Sequence, residues 1–398
     1  MKTNIIFQAS VFSRSGYGSH ARDIVRDLFQ SNKFNISVIP TGWGATSTTE
    51  NIPEDLLDML MFCVNNKVNT KDFVFMHLGI PTEFRKVGPI NIGITAGIES
   101  DRLPAGWAEA CNQMNAIIVP SQFIKNLFQQ HGVSVPVYVV GEGVDLDMYN
   151  NNNPIDDTLA LPLATSFNFI TAGQWAVNPI GEDRKQVGLL LKWFCETFES
   201  NKDVGIFVKT FSQNNSSPDL IFTRERIDAI KNGKPFPKVY LIHGDMTDYE
   251  MAHLYKKSKA FISATSGEGW CRPLAEAIAC DVPILVTGWS GQMDFVIPEL
   301  STLFEFDLAD VPFSVLRQGI YHPGMRWAMP REQDVKRKLK RCYDSYSIAK
   351  ERAIKHGERF RGVWSKEITG ARFVETISQI VSSNTAISSI NQNIIEIV

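Results

Sequence analysis

Two glutamates, Glu268 and Glu276, stand eight positions apart in the stretch 266–276, SGEGWCRPLAE. A carboxylate accepts two hydrogen bonds at once, so each could hold a sugar diol. Pro273 suits a first helical turn, where its missing N–H costs nothing, and 275–279 (AEAIA) is good helix. The spacing predicts a helix start between the two acids, with Glu276 in its first turn. Unpaired N–H groups and the positive dipole end there attract a phosphate. Diol, phosphate, diol is the outline of a nucleotide-sugar. The plainer alternative makes Glu276 a complement to the helix dipole and Glu268 a solvated loop charge.

The residues downstream of Glu276 favour the nucleotide-sugar. Residues 282–286 (VPILV) form a short apolar run typical of a buried parallel strand, and 288–291 (GWSG) make a tight turn with Asp294 just beyond. Helix, strand and glycine turn in that order make a unit of an open α/β sheet, where ligands sit outside the carboxyl ends of the strands.

The segment 268–291 resembles the paired-glutamate signature of retaining glycosyltransferases with two Rossmann-like domains (the GT-B fold, family-4-like). The resemblance implies that Glu268 contacts donor-sugar hydroxyls and Glu276 the ribose, with Gly267, Gly269 and Trp270 in the same donor loop. Cys271 and Arg272 depart from the small, apolar residues usual there. The runs 97–107 (GIES, LP, W), 119–121 (VPS) and 142–145 (EGVD) extend the likeness over most of the chain. The runs 15–24 (SGYGSHARDI), 93–99 (GITAGIE), 181–188 (GEDRKQVG) and 289–295 (WSGQMDF) further resemble glycosyltransferases encoded by tailed bacteriophages.

These residues need two alternating α/β halves to hold them. Residues 5–7 read as a first strand, 13–19 (SRSGYGS) as a flexible loop and 21–29 as a helix. That loop lacks the third glycine of a dinucleotide fingerprint. In the resembled family such a loop approaches acceptor or phosphate, which implies that role for Gly16 and Gly18; a plain tight turn is the alternative. Strands at 72–77, 91–96, 116–119 and 137–140 alternate with helices, and a second series runs through 167–171, 204–209, 238–243, 260–264 and 283–287. The polar run 150–153 is the linker candidate. Helices are expected over 332–357 and 364–383. The fold class is therefore α/β, two Rossmann-like domains facing across a cleft, with C-terminal helices crossing back to the first. The expected division is 1–155 for an acceptor-side domain, 165–375 for a nucleotide-sugar domain, and 376–398 for a segment packing back on the first. Ile390, Ile394, Ile395 and Ile397 are the residues expected to brace it.

By resemblance, an Arg and a Lys after the second domain's first strand hold the donor phosphates and neutralise the leaving diphosphate. Arg184 and Lys185, beyond Gly173, take that role, although the family's spacing is wider and Lys209 could share the work. His243 and Gly244 would line the base, while Gly291 and Gln292 would set amides against the sugar. With retention no protein nucleophile is required. With inversion a general base is needed, and His77, Glu99 and Asp101 are the candidates.

Of 398 residues, 44% are hydrophobic and 21% charged, with net charge −3, so there is no global pull toward nucleic acid or anionic membrane. No apolar run reaches the ~20 residues of a membrane span, and the start reads as a strand rather than a signal peptide. Six cysteines without a C-x-x-C pair suggest reduced thiols and a cytoplasmic protein, in host cytoplasm if phage-encoded. Asp145 and Asp147 match the D-x-D of metal-dependent transferases but sit in a turn, so no metal site is expected. The Lys and Arg cluster 336–341 reads as a solvated helix face or as a contact for a polyanionic acceptor.

The reading is an enzyme, a metal-independent glycosyltransferase using a nucleoside diphosphate sugar (a UDP-sugar is favoured) and needing no other cofactor. Acceptors left open are a hydroxymethylated base of phage DNA, a glycan, a lipid-linked sugar or a small molecule. Two rivals stand beside it: a nucleotide-sugar epimerase of the same fold, and a catalytically silent binding module.

Overall fold

The computed structural model describes residues 2–44, 46, 52–152, 163–213, 215–235 and 237–393, with side chains described to 385. The chain divides into two compact units. One comprises Met1–Gly97, Leu103–Gly143 and Lys366–Val398; the other Ile98–Arg102 and Val144–Ser365. The division falls at Gly143 and again at Ser365, away from the 150–153 linker and the 375–376 boundary expected.

The first unit contains β1 (Thr3–Ala9), α1 (Gly16–Gln30), β2 (Phe34–Pro40), α2 (Glu54–Asn65), β3 (Val74–Leu78), β4 (Ile90–Ile94), α3 (Trp107–Cys111), β5 (Ala116–Val119), α4 (Gln122–Gln130) and β6 (Val137–Val139). Its strands form one parallel sheet in the order β2-β1-β3-β4-β5-β6. Ile5, Phe7, Met76, Ile92 and Ile94 are wholly buried in it. One expectation fails at the start. Helix α1 begins at Gly16, inside the stretch read as a loop, because Ser15 caps it: its Oγ accepts from the Gly18 N–H at 3.0 Å. A Cβ on Gly18 would stand 2.0 Å from the Ser13 carbonyl oxygen, so this glycine is needed for the turn itself.

The second unit contains β7 (Phe167–Ala172), α5 (Val187–Thr197), β8 (Val204–Lys209), α6 (Ser217–Lys231), β9 (Lys238–Ile242), α7 (Asp248–Lys257), β10 (Ala260–Ser263), α8 (Arg272–Ala279), β11 (Ile284–Thr287), β12 (Thr302–Phe304), β13 (Phe306–Asp310), β14 (Arg326–Pro330), α9 (Glu332–Asp344) and α10 (Tyr346–Arg361). A second parallel sheet runs β12-β11-β10-β7-β8-β9, and β13 pairs antiparallel with β14. In both sheets the inner strands β3, β5, β8, β10 and β11 are buried along nearly their whole length, as cover on two faces requires, whereas β1 and β2 alternate.

The single helix expected over 332–357 is two. Ser345 (φ −129°, ψ 43°) leaves the helical region between α9 and α10. The break lets α10 lie close on α8, where a Cβ at Gly357 would meet the Ile278 carbonyl at 2.9 Å. The last helix, α11 (Lys366–Asn393), belongs to the first unit. Phe373, Val374, Ile377 and Ile380 enter that unit's core at helical spacing. Gly370 permits its approach to α1, since a Cβ there would stand 2.6 Å from the Asp27 carboxyl carbon. The isoleucines expected to brace the first domain, Ile390 to Ile397, lie outside the described side chains and residues.

Candidate active site

The loop after β10 is buried throughout from Thr265 to Trp270. Gly267 has to be glycine: a Cβ would stand 2.8 Å from Glu99 Cβ and 2.9 Å from the Trp289 ring. Glu268 follows, only 4% exposed. Its N–H donates to Ser290 Oγ at 2.8 Å and its carbonyl accepts from Gly291 N–H at 2.9 Å, so the turn after the neighbouring strand holds its backbone. Helix α8 starts at Arg272, behind Cys271 in the left-handed region (φ 83°). Pro273 does mark its first turn, but the helix begins one residue earlier. Glu276 is therefore the fifth residue of α8 and lies just beyond the first turn expected for it. Glu276 Oε2 accepts from the Tyr255 hydroxyl at 3.0 Å.

Lys185 and Arg184 converge on Glu268. Lys185 Nζ lies 2.7 Å from both carboxylate oxygens; Arg184 Nη1 lies 3.2 Å from Oε2 and donates to the Gly267 carbonyl at 2.6 Å. Thr265 Oγ1 donates to Oε1 at 2.9 Å. Burial alone would raise the Glu268 carboxyl, but Lys185 and then Arg184 outweigh it and hold it below the ordinary glutamate range. The Arg184 guanidinium is likewise penalised by burial, yet Glu99 and Glu268 keep its pKa above the ordinary arginine value. The solvated reading of Glu268 is thus corrected. Gly173 sits against the aliphatic stem of Lys185, whose Cδ would lie 3.6 Å from a Cβ there.

Glu99 completes the cluster. Its Oε1 lies 3.2 Å from Arg184 Nη1, and Tyr321 donates to its Oε2 at 3.3 Å. Asp101 pairs with Arg326, whose Nε lies 2.8 Å away and whose backbone N–H donates to it at 2.7 Å. Both candidate bases from this segment are therefore engaged with cations. His77 lies in the first unit, buried on β3 with its ring 5.6 Å from that of Phe84. Burial and the Arg85 charge lower its pKa, so the imidazole is neutral at neutral pH. Gly16 and Gly18 are also in the first unit.

Several expected donor contacts are otherwise employed. His243 Nε2 lies 2.9 Å from Asp219 Oδ2, and the ring is almost wholly buried. Lys209 Nζ donates to the Gly244 carbonyl. Trp270 is a core residue, its ring 4.7 Å from Phe295 and 4.9 Å from Trp364. The Gly291 amide is bonded to Glu268, while Gln292 is fully buried with its Nε2 on the Thr287 carbonyl at 2.5 Å. Gly269 is buried in the same loop as Glu268. The His243 ring and the Gly291 amide are thus each engaged by a protein partner.

Tyr321, Tyr255, Thr265 and Ser290 had no sequence signal. Hydroxyls that orient a carboxylate (Tyr321, Tyr255, Thr265) or hold its backbone (Ser290) carry no fixed spacing, and Tyr321 meets Glu99 from 222 positions away.

Asp145 Oδ1 accepts from the Asp147 N–H at 3.0 Å, a turn device. Among the described residues no group of three or more His, Cys, Asp or Glu side chains is placed to hold a metal ion. All six cysteines are free thiols, and burial pushes Cys271 up to about 12. Much of the basic cluster is paired within the unit: Lys336 with Glu196 and Glu332, Arg337 and Lys338 with Asp334, and Lys340 with Asp344. No described helix is long and apolar enough to cross a membrane.

No protein-family model matches the chain, and no curated protein sequence is similar to it. Solved structures are. Sucrose-phosphate synthase from Thermosynechococcus elongatus matches with TM-score 0.66 at 11% identity, over 96% of this chain and 100% of that one. A glycosyltransferase from Rickettsia africae gives 0.65 at 13% identity, over 96% and 99%. Anabaena HepE, solved with UDP and glucose, gives 0.64 at 12% identity, over 95% and 100%. The chain has their fold, an α/β architecture of two parallel-sheet domains known as GT-B.

Proposed function

We propose that the chain is a glycosyltransferase moving a sugar from a nucleoside diphosphate sugar to an acceptor hydroxyl, with retention and without a metal. The observation that carries this is the convergence of Lys185 and Arg184 on buried Glu268, at the carboxyl ends of a parallel sheet. A buried carboxylate of this kind, kept ionised, suits hydrogen-bond donors on a sugar. HepE was solved with UDP and with UDP-glucose, which supports a UDP-sugar donor.

In this reading Glu268 accepts from donor-sugar hydroxyls, Glu276 accepts from the ribose, and Arg184 and Lys185 hold the diphosphate. The acceptor oxygen bonds to the anomeric carbon as the bond from that carbon to the phosphate oxygen breaks. The acceptor proton passes to the departing phosphate. Negative charge grows on that phosphate in the transition state, and the two cations stabilise it there. Glu99, engaged with Arg184 and Tyr321, serves to orient the guanidinium rather than as a base.

A hydroxymethylated DNA base remains the narrower acceptor proposal, in keeping with the phage-like runs. The pairing of Lys336, Lys338 and Lys340 within the unit weakens the sequence feature that favoured it. The free thiols fit a reducing, cytoplasmic setting.

The test is a thermal-shift panel of nucleoside diphosphates and their sugars, followed by donor turnover with DNA, hydroxymethylated DNA and oligosaccharides. A ligand at a hundred times its dissociation constant stabilises by about 2.7 kcal/mol. The proposal fails if no nucleotide raises the melting temperature. A donor converted to another sugar with no acceptor present would instead make the chain an epimerase.

A further inference from the structure

We propose that Tyr255 is a positioning residue for Glu276, and that through this hydrogen bond the site prefers ribose over 2′-deoxyribose on the donor. The inference rests on the reading of Glu276 as the ribose ligand and adds the group that makes it selective.

Tyr255 lies on α7, fully buried, and its hydroxyl donates to Glu276 Oε2 at 3.0 Å. The ring is packed in place, 6.2 Å from that of Tyr149 and 6.3 Å from that of Phe261. Burial, and after it the Glu276 charge, push the phenol well above its ordinary pKa. It therefore stays protonated and acts only as a donor toward the carboxylate.

Glu276 itself is half-buried, on a helix of eight residues. An unrestrained glutamate loses rotamer freedom when it clasps a ligand, which weakens binding. With one oxygen tied to a fixed phenol, that loss is met in folding and the carboxylate is presented in one orientation. A carboxylate so held discriminates sharply: a ribose offers two vicinal donors, whereas a 2′-deoxyribose leaves acceptor capacity unsatisfied.

Tyr149 supplies the control. It is nearly as buried as Tyr255 and packs against it, but its hydroxyl donates to Asp248 Oδ1 at 3.3 Å instead. Removing either hydroxyl costs a buried hydrogen bond in one aromatic cluster, yet of the two only that of Tyr255 donates to Glu276.

The experiment measures the affinity of the full chain for UDP and for 2′-deoxy-UDP by calorimetry, in the wild type, Tyr255→Phe and Tyr149→Phe. The wild type should prefer UDP by about tenfold or more, Tyr255→Phe should cut that ratio severalfold, and Tyr149→Phe should keep it. A Tyr255→Phe ratio equal to wild type overturns the inference while leaving the donor site standing. A wild type that binds both nucleotides equally removes the ribose role of Glu276 and this inference with it. Absence of all UDP binding would strike the function proposed above. Should Tyr255→Phe not fold, difluorotyrosine at 255 keeps the ring and strengthens the donor; an unmoved ratio there is equally fatal.

Discussion

Lys185 Nζ stands 2.7 Å from each carboxylate oxygen of Glu268, although the two residues are 83 positions apart. One follows β7 and the other β10, strands that are neighbours in the sheet. The pair holds a charge inside the unit that would be costly alone. In the function proposed above, a diphosphate would share or take over the ammonium.

Removing that ammonium should therefore harm both fold and site. Lys185→Met leaves Glu268 with Arg184 and Thr265 as its remaining charged and hydroxyl partners, and the loss should be roughly 2–4 kcal/mol. Thermal melts measure the destabilisation, and UDP binding followed in parallel should weaken. A variant as stable as wild type would show the pair to be energetically idle.

The depressed Glu268 carboxyl predicts a pH dependence of definite sign. Its folded-state pKa lies below its unfolded value, so its contribution is fully present above the unfolded value. It is lost as pH falls through the folded value, in the range below about pH 4. Melting temperature against pH should drop in that acidic window, and Glu268→Gln should show a shallower drop. At neutral pH the same variant should abolish sugar transfer with the fold retained.

Gly267 offers a steric test. Gly267→Ala puts a Cβ 2.8 Å from that of Glu99 and 2.9 Å from the Trp289 ring. Overpacking of this kind costs about 1–3 kcal/mol, and it would displace Glu99 from Arg184. Denaturant melts and donor turnover should fall together.

The basic face of α9 should be inert. Lys340 is exposed and paired with Asp344 within its own helix, so Lys340→Ala should change stability by no more than about 0.5 kcal/mol. Donor turnover should be unchanged with any acceptor. A loss confined to DNA acceptors would restore the polyanion-binding role of this face.

Local signals were legible where one element carries them. Apolar runs marked the strands of both parallel sheets, and Pro273 with the AEAIA run marked α8. They blurred where a single residue sets a boundary. Ser15 starts α1 earlier than its glycines suggest, and Ser345 splits a continuous helical pattern whose periodicity never lapses. Two side chains expected near the donor found protein partners for tertiary reasons: Trp270 packs in the core, and His243 bonds to Asp219 on α6.

The residue order alone settled that strands and helices alternate in two series, and spacing drew attention to Glu268, since periodicity and local spacing are properties of neighbours along the chain. Arg184 and Lys185 were singled out by the family resemblance. Whether those charges meet was decided only when parallel strands brought their carboxyl ends side by side. The same folding assigned Glu99 to Arg184 and Tyr321 to Glu99, and gave Tyr255 to Glu276. Such pairings depend on distances through space, which no interval in sequence encodes.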